Sequence, residues 1–89
     1  MIEREVEIMN RLGLHARAAA KLVHLAGSFR SDVAVVQDGE AVDAKSILGI
    51  LLLAAGQGSR IVVRCSGEDE EAAIAAVTGL IGDRFGEDS

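Results

Sequence analysis

Apolar residues in this chain recur first at every second position, then at every third or fourth. The order in which the two periods alternate restricts the fold more than any other feature of the sequence. Residues 2–8 alternate strictly, with Ile2, Val6 and Ile8 on one face and Glu3, Glu5 and Glu7 on the other, the mark of a half-buried strand. After a short loop over residues 10–14, strong helix formers from Ala16 predict a helix to about Ala26 or Gly27. Its buried stripe is expected to be Ala19, Leu22, Ala26 and Phe29. Residues 33–37 and 40–43 flank Asp38-Gly39, a dipeptide suited to the positive φ angles of a two-residue hairpin turn. Ser46 precedes the apolar run 47–53 and is placed to cap a short helix that Gly56 and Gly58 are expected to end. Residues 60–65 alternate again, with Ile61, Val63 and Cys65 facing inward. Ser66-Gly67-Glu68-Asp69 then opens a last helix, its acids favoured by the helix dipole and its stripe made of Ile74, Val77, Ile81 and Phe85.

The predicted order is strand, helix, strand, strand, helix, strand, helix. Three amphipathic helices can cover only one face of a four-stranded sheet, so the fold class is an open-faced α/β (α+β) sandwich. Arg60 and Arg64 can face the glutamates of the first strand across an antiparallel pair, which places the first and fourth strands side by side. At 89 residues the chain is expected to form one domain over residues 1–89, with residues 86–89 as a frayed tail. Only Phe29 and Phe85 are aromatic, so the core must be filled by aliphatic side chains.

Several function classes are disfavoured. The apolar run after Ser46 stops at Gly56, well short of the roughly 18 residues that span a bilayer, so no membrane insertion is expected. The first residues are charged and alternating, unlike a secretory signal, and a cytoplasmic protein is the expectation. Cys65 alone offers neither an internal disulfide nor a metal cluster, and reads as a core residue of a strand. The net charge of −5, without Tyr or Trp to stack on bases, argues against nucleic acid. Between Ile8 and Ser31, however, there is no acid, while Arg11, Arg17, Lys21 and Arg30 all fall there, which points to a site for a small anion.

Gly13-Leu14-His15-Ala16-Arg17 puts a histidine at the mouth of a helix and an arginine two residues on. A neutral imidazole is a competent nucleophile near pH 7, the first-turn N–H groups favour an anion, and a guanidinium matches phosphate oxygens. On residues alone, an exposed or merely capping histidine is as good a reading. His24 lies nine residues on, about 900° around the helix, so it faces away from His15 and reads as a surface residue. Residues 47–53 hold more large apolar side chains than one stripe of a two-turn helix can bury. Either some are exposed beside the site as a docking patch, or the whole run is core.

Gly13-Leu14-His15-Ala16-Arg17 resembles the active-site motif of the HPr family, the histidine phosphocarriers of the phosphoenolpyruvate-dependent phosphotransferase system (PTS). Lys45-Ser46-Ile47-Leu48-Gly49 is similar to that family's second signature, around its regulatory serine, and Gly67-Glu68-Asp69-Glu70 to the turn into its last helix. The resemblance covers the whole chain and implies a sheet ordered 1-4-2-3. It implies that His15 accepts a phosphoryl group on Nδ1 from phosphorylated Enzyme I and passes it to an EIIA domain, with Arg17 steadying the phosphate. Ser46 is then the site of HPr kinase/phosphorylase where that enzyme exists, and Ile47, Leu48, Leu51 and Lys21 belong to the partner-docking surface. The implied protein is a monomeric carrier that depends on partner enzymes, with no cofactor and no metal. The family usually has proline where this chain has Ala18, which is expected to loosen the helix start slightly. A regulatory binding domain of the same fold, including a nitrogen-branch PTS paralogue, is the alternative. An autonomous enzyme is weaker, because no base, metal cluster or nucleotide loop accompanies His15.

Overall fold

Alternation in the first and last strands of the chain sets the architecture seen in the computed structural model, which describes residues 1–89. The elements are β1 (Ile2–Glu7), α1 (Ala16–Gly27), β2 (Asp32–Gln37), β3 (Glu40–Asp43), α2 (Ile47–Leu53), β4 (Arg60–Ser66) and α3 (Glu70–Gly82), followed by a 3-10 turn at Arg84–Gly86. The antiparallel sheet runs β1-β4-β2-β3, in the expected order.

The charge pairing that placed the first strand beside the fourth is present. Glu3 lies opposite Arg64 and Glu7 opposite Arg60, with Arg64 Nε donating to Glu3 Oε2 at 2.6 Å and Arg60 Nη1 to Glu5 Oε1 at 3.3 Å. These pairs sit on the open face in water, so each contributes only about 0.2–1 kcal/mol. Their larger effect is on register, because a one-residue slip would turn Ile61, Val63 and Cys65 out of the core. At the hairpin, Asp38 and Gly39 have φ of 51° and 81°, as a two-residue turn between right-twisted strands requires.

The core lies between the helices and the inner face of the sheet. Val33, Val35, Ile61, Val63 and Cys65 meet Ala18, Ala19, Leu22 and Ala26 of α1 and Ile74, Val77 and Ile81 of α3, all buried. Each buried Ile, Leu or Val contributes about 1.5–3 kcal/mol of transfer free energy. Small alanines on α1 let that helix approach the sheet closely.

Four expectations need correction. Phe29 is not part of the α1 stripe: the helix ends at Ser28, and Phe29 packs half-buried against the core from the following loop. Helix α2 is ended by Ala54, in the left-handed region at φ 54° and ψ 35°, rather than by Gly56 or Gly58. Phe85 is fully buried but follows α3 on the 3-10 turn, with φ 55°, so its ring folds back under the helix. Residues 86–89 do not simply fray, because Glu87 turns back onto the loop before α1, where Asn10 Nδ2 donates to its carboxylate at 3.0 Å.

Candidate functional site

The loop before α1 is built around Gly13. Its φ is +64°, and a Cβ there would lie 2.5 Å from the Ala55 carbonyl oxygen and 2.7 Å from Gly56 Cα. Only glycine allows this approach, and it lets Leu14 N–H donate to the same Ala55 carbonyl at 2.9 Å. Leu14 is buried, so its neighbour His15 is set at the surface at a fixed place between α1 and the end of α2.

His15 is the N-cap of α1, with extended backbone, and its Nδ1 accepts from the Arg17 backbone N–H at 3.3 Å. An accepting Nδ1 carries a lone pair, so in the neutral ring the proton is on Nε2, which faces Glu87 Oε2 at 2.5 Å. The accepting nitrogen therefore lies at the free N–H groups of the first turn, where helix geometry favours an anion. The hydrogen bond from His15, and then that from Asn10, hold the Glu87 carboxyl below the usual glutamate range.

A cleft of about 840 Å³ opens beside the ring, lined by Arg11, His15, Arg17 and Lys21 and by residues 86–89. Arg17 is exposed and lines the same cleft as the histidine. Lys21 Nζ donates to the Phe85 carbonyl oxygen at 2.6 Å, so this residue, expected on a docking surface, ties the tail to α1. His24 is exposed away from the site, as its position on the helix implied.

Ser46 caps α2, its hydroxyl accepting from Gly49 N–H at 3.2 Å. Of the run that follows, Ile50 alone is buried; Ile47, Leu48, Leu51 and Leu52 are 43%, 64%, 38% and 71% exposed. The run is therefore not all core, and Leu12, 66% exposed in the His15 loop, adds to the apolar surface.

Sequence reasoning missed Asn10 and Glu87. Asn10 is fully buried and donates to the Gly13 carbonyl at 2.8 Å as well as to Glu87. The acid-free stretch around His15 is real in sequence, yet a carboxylate arrives from 72 residues away. The only signal for Asn10 was its place at the start of a Gly-containing loop, where a side-chain amide commonly bonds nearby backbone.

The protein-family model described as "PTS HPr component phosphorylation site" matches residues 2–83. A phosphocarrier protein HPr from Cupriavidus necator is 52% identical over 87 residues, 98% of each chain. A phosphocarrier protein NPr from Shewanella violacea is 43% identical over 88 residues, 99% of this chain and 97% of that one. Among solved structures, HPr-C-His from Thermoanaerobacter tengcongensis superposes with a TM-score of 0.97 at 45% identity, covering all of both chains. With its fold, its histidine at the mouth of α1 and these matches over nearly its full length, the chain belongs to the PTS HPr family.

Proposed function

We propose that this phosphocarrier takes its phosphoryl group on Nδ1 of His15 from phosphorylated Enzyme I and passes it to an EIIA domain of the PTS. The observation that carries the reading is the orientation of the ring: Nδ1 is the acceptor nitrogen and faces the Arg17 N–H. In the transfer, the Nδ1 lone pair attacks phosphorus as the donor's N–P bond breaks, its electron pair returning to the donor imidazole. First-turn N–H groups and the Arg17 guanidinium would then hold the phosphate oxygens. The chain supplies a nucleophile and an anion site, and the partner enzymes supply the rest, so it acts as a carrier and not as an enzyme.

The exposed Ile47, Leu48 and Leu51 beside this loop form the partner-docking surface, with Lys21 at its edge. Ser46, at the head of the same helix, is the regulatory phosphorylation site for an HPr kinase/phosphorylase. No helix is long and apolar enough to cross a membrane. We place the chain in the cytoplasm as a monomer, which suits a single reduced cysteine and a sheet face studded with paired charges.

The test is to incubate the protein with Enzyme I, magnesium and phosphoenolpyruvate and to weigh it intact beside His15→Ala. An acid-labile gain of one phosphoryl mass, absent from the variant, is expected. No gain with an Enzyme I from the same organism overturns the reading in favour of a purely regulatory binding domain. A second reading, the nitrogen-related branch of the same system, is favoured by the NPr relative. Transfer from the phosphorylated chain to a nitrogen-branch EIIA, and not to a sugar-specific one, would establish it.

A further inference from the structure

Residues 84–89 lie beyond the region that the family model matches, yet one of them touches the ring of His15. Glu87 Oε2 is 2.5 Å from Nε2, and Glu87 Oε1 accepts from Asn10 Nδ2 at 3.0 Å. Asn10 is buried in the loop and gives another N–H to the Gly13 carbonyl, so the carboxylate is held by the same loop that holds the histidine. The backbone ahead of it is fixed as well, by the buried Phe85 ring, by Lys21 Nζ on the Phe85 carbonyl, and by Glu87 N–H donating to the Arg84 carbonyl at 2.9 Å. The side chains of His15 and Glu87 are only 26% and 16% exposed, so water screens this contact less than it screens the pairs on the open sheet face.

We propose that Glu87 is a positioning residue for phosphoryl acceptance: it holds His15 as the Nε2–H tautomer, keeping the Nδ1 lone pair at the mouth of α1. This deepens the carrier reading and rests on it. When Nδ1 bonds to phosphorus and the donor's N–P bond breaks, the proton stays on Nε2 and the ring of His15 gains a positive charge. Glu87 faces that charge from the side of the ring away from the incoming phosphate. A carboxylate on the far nitrogen of a nucleophilic or basic imidazole is an arrangement that fixes both tautomer and ring orientation.

The experiment compares wild type with Glu87→Ala and Glu87→Gln, all labelled with ¹⁵N-histidine and studied unphosphorylated at a pH where the ring is neutral. Wild type is expected to show a slowly exchanging Nε2–H proton and an unprotonated Nδ1. Glu87→Ala should lose the slow exchange and show mixed tautomers, while Glu87→Gln, which keeps an acceptor oxygen, should retain the tautomer. Phosphoryl acceptance from phosphorylated Enzyme I should fall about tenfold in Glu87→Ala, the scale of one hydrogen bond to a charged group, with circular dichroism unchanged. An unchanged Nε2–H signal in Glu87→Ala, or acceptance as fast as wild type or faster, overturns the proposal. Failure of the wild type itself to accept a phosphoryl group overturns the carrier reading and this proposal with it.

Discussion

Gly13 and Ala55 meet backbone to backbone: a Cβ on the glycine would stand 2.5 Å from the Ala55 carbonyl oxygen. Gly13→Ala therefore forces a residue with a side chain into φ +64° and pushes two backbone segments apart at once. Neither segment has a flexible side chain to yield, so a loss of about 2–3 kcal/mol is expected in urea unfolding. The Leu14–Ala55 hydrogen bond should go with it, loosening His15 and slowing phosphoryl acceptance. Gly27→Ala is the control, because its Cβ meets nothing within 4 Å, and it should change stability little or raise it by about 0.5 kcal/mol.

Asp69 ties two loops together. Its carboxylate accepts from the Ser31 hydroxyl at 2.5 Å and from the Arg30 and Ser31 backbone N–H groups, each at 2.9 Å. The Ser31 hydroxyl first, and the two N–H groups after it, hold its pKa at about 2. Because the folded value is depressed below the unfolded one of about 3.9, the contribution is present above pH 4 and is lost as pH falls through about 2. Wild type should thus exceed Asp69→Asn in stability at pH 7, with the gap closing between pH 4 and pH 2. A gap that stays constant across that window would show the carboxylate's charge to be irrelevant.

What could be read from the residues depended on how far apart in the chain the partners lie. The Asp38-Gly39 turn and the Ser46 cap are decided by neighbours and were legible. The pairing of β1 with β4 was legible because Arg60 and Arg64 mirror the glutamates of β1 in sign and spacing, whereas the rest of the sheet order came from the family resemblance. His15 and Arg17 were legible as a pair because helix geometry alone brings them together. Glu87 was not, since a charge count along the chain sees only sequence neighbours, and folding delivers a carboxylate from the other end. The left-handed Ala54 and Phe85 were hidden for a related reason: tertiary packing imposes conformations that local propensity disfavours.

Cys65 is fully buried on β4, and burial pushes its thiol up from the ordinary value, with the carboxylates of Glu70 and Asp69 adding to the effect. The folded protein should react with iodoacetamide at pH 8 only through opening, slower than in urea by about a thousandfold or more. A folded state that prefers the protonated thiol also loses stability as pH rises above about 9, since only the unfolded chain then ionises freely. Rapid alkylation of native protein would mean that β4 is far more accessible than its burial indicates.

Ser46→Asp separates the two roles of this position. Aspartate caps a helix as well as serine does, so stability should change by less than about 0.5 kcal/mol. The added charge stands at the head of the helix whose Ile47 and Leu48 face outward, where partner proteins are proposed to dock. Phosphoryl acceptance at His15 should then be slower because docking is weaker, seen as a higher KM for the carrier at nearly unchanged kcat of Enzyme I. Equal KM values for wild type and Ser46→Asp would separate Ser46 from the docking surface.

Ala18 stands in the first turn of α1, completely buried, where the N–H groups of a helix have no partner one turn back. Arg17 N–H is taken by His15 Nδ1, and the first carbonyl bond of the helix is made by Ala19 to His15, so Ala18→Pro breaks neither. The ring would fix φ near the helical value and reduce the freedom of the unfolded chain, raising stability by about 0.4–1 kcal/mol. Its extra carbons must also fit where alanine already has no exposed surface, against the Leu22 side of the helix and the sheet beneath. Urea unfolding distinguishes the two terms: a gain means the entropy of the helix start governs, and a loss above about 1 kcal/mol means overpacking does. In the first case the ring of His15 should also be better ordered, visible as a narrower Nε2–H resonance in the variant than in wild type.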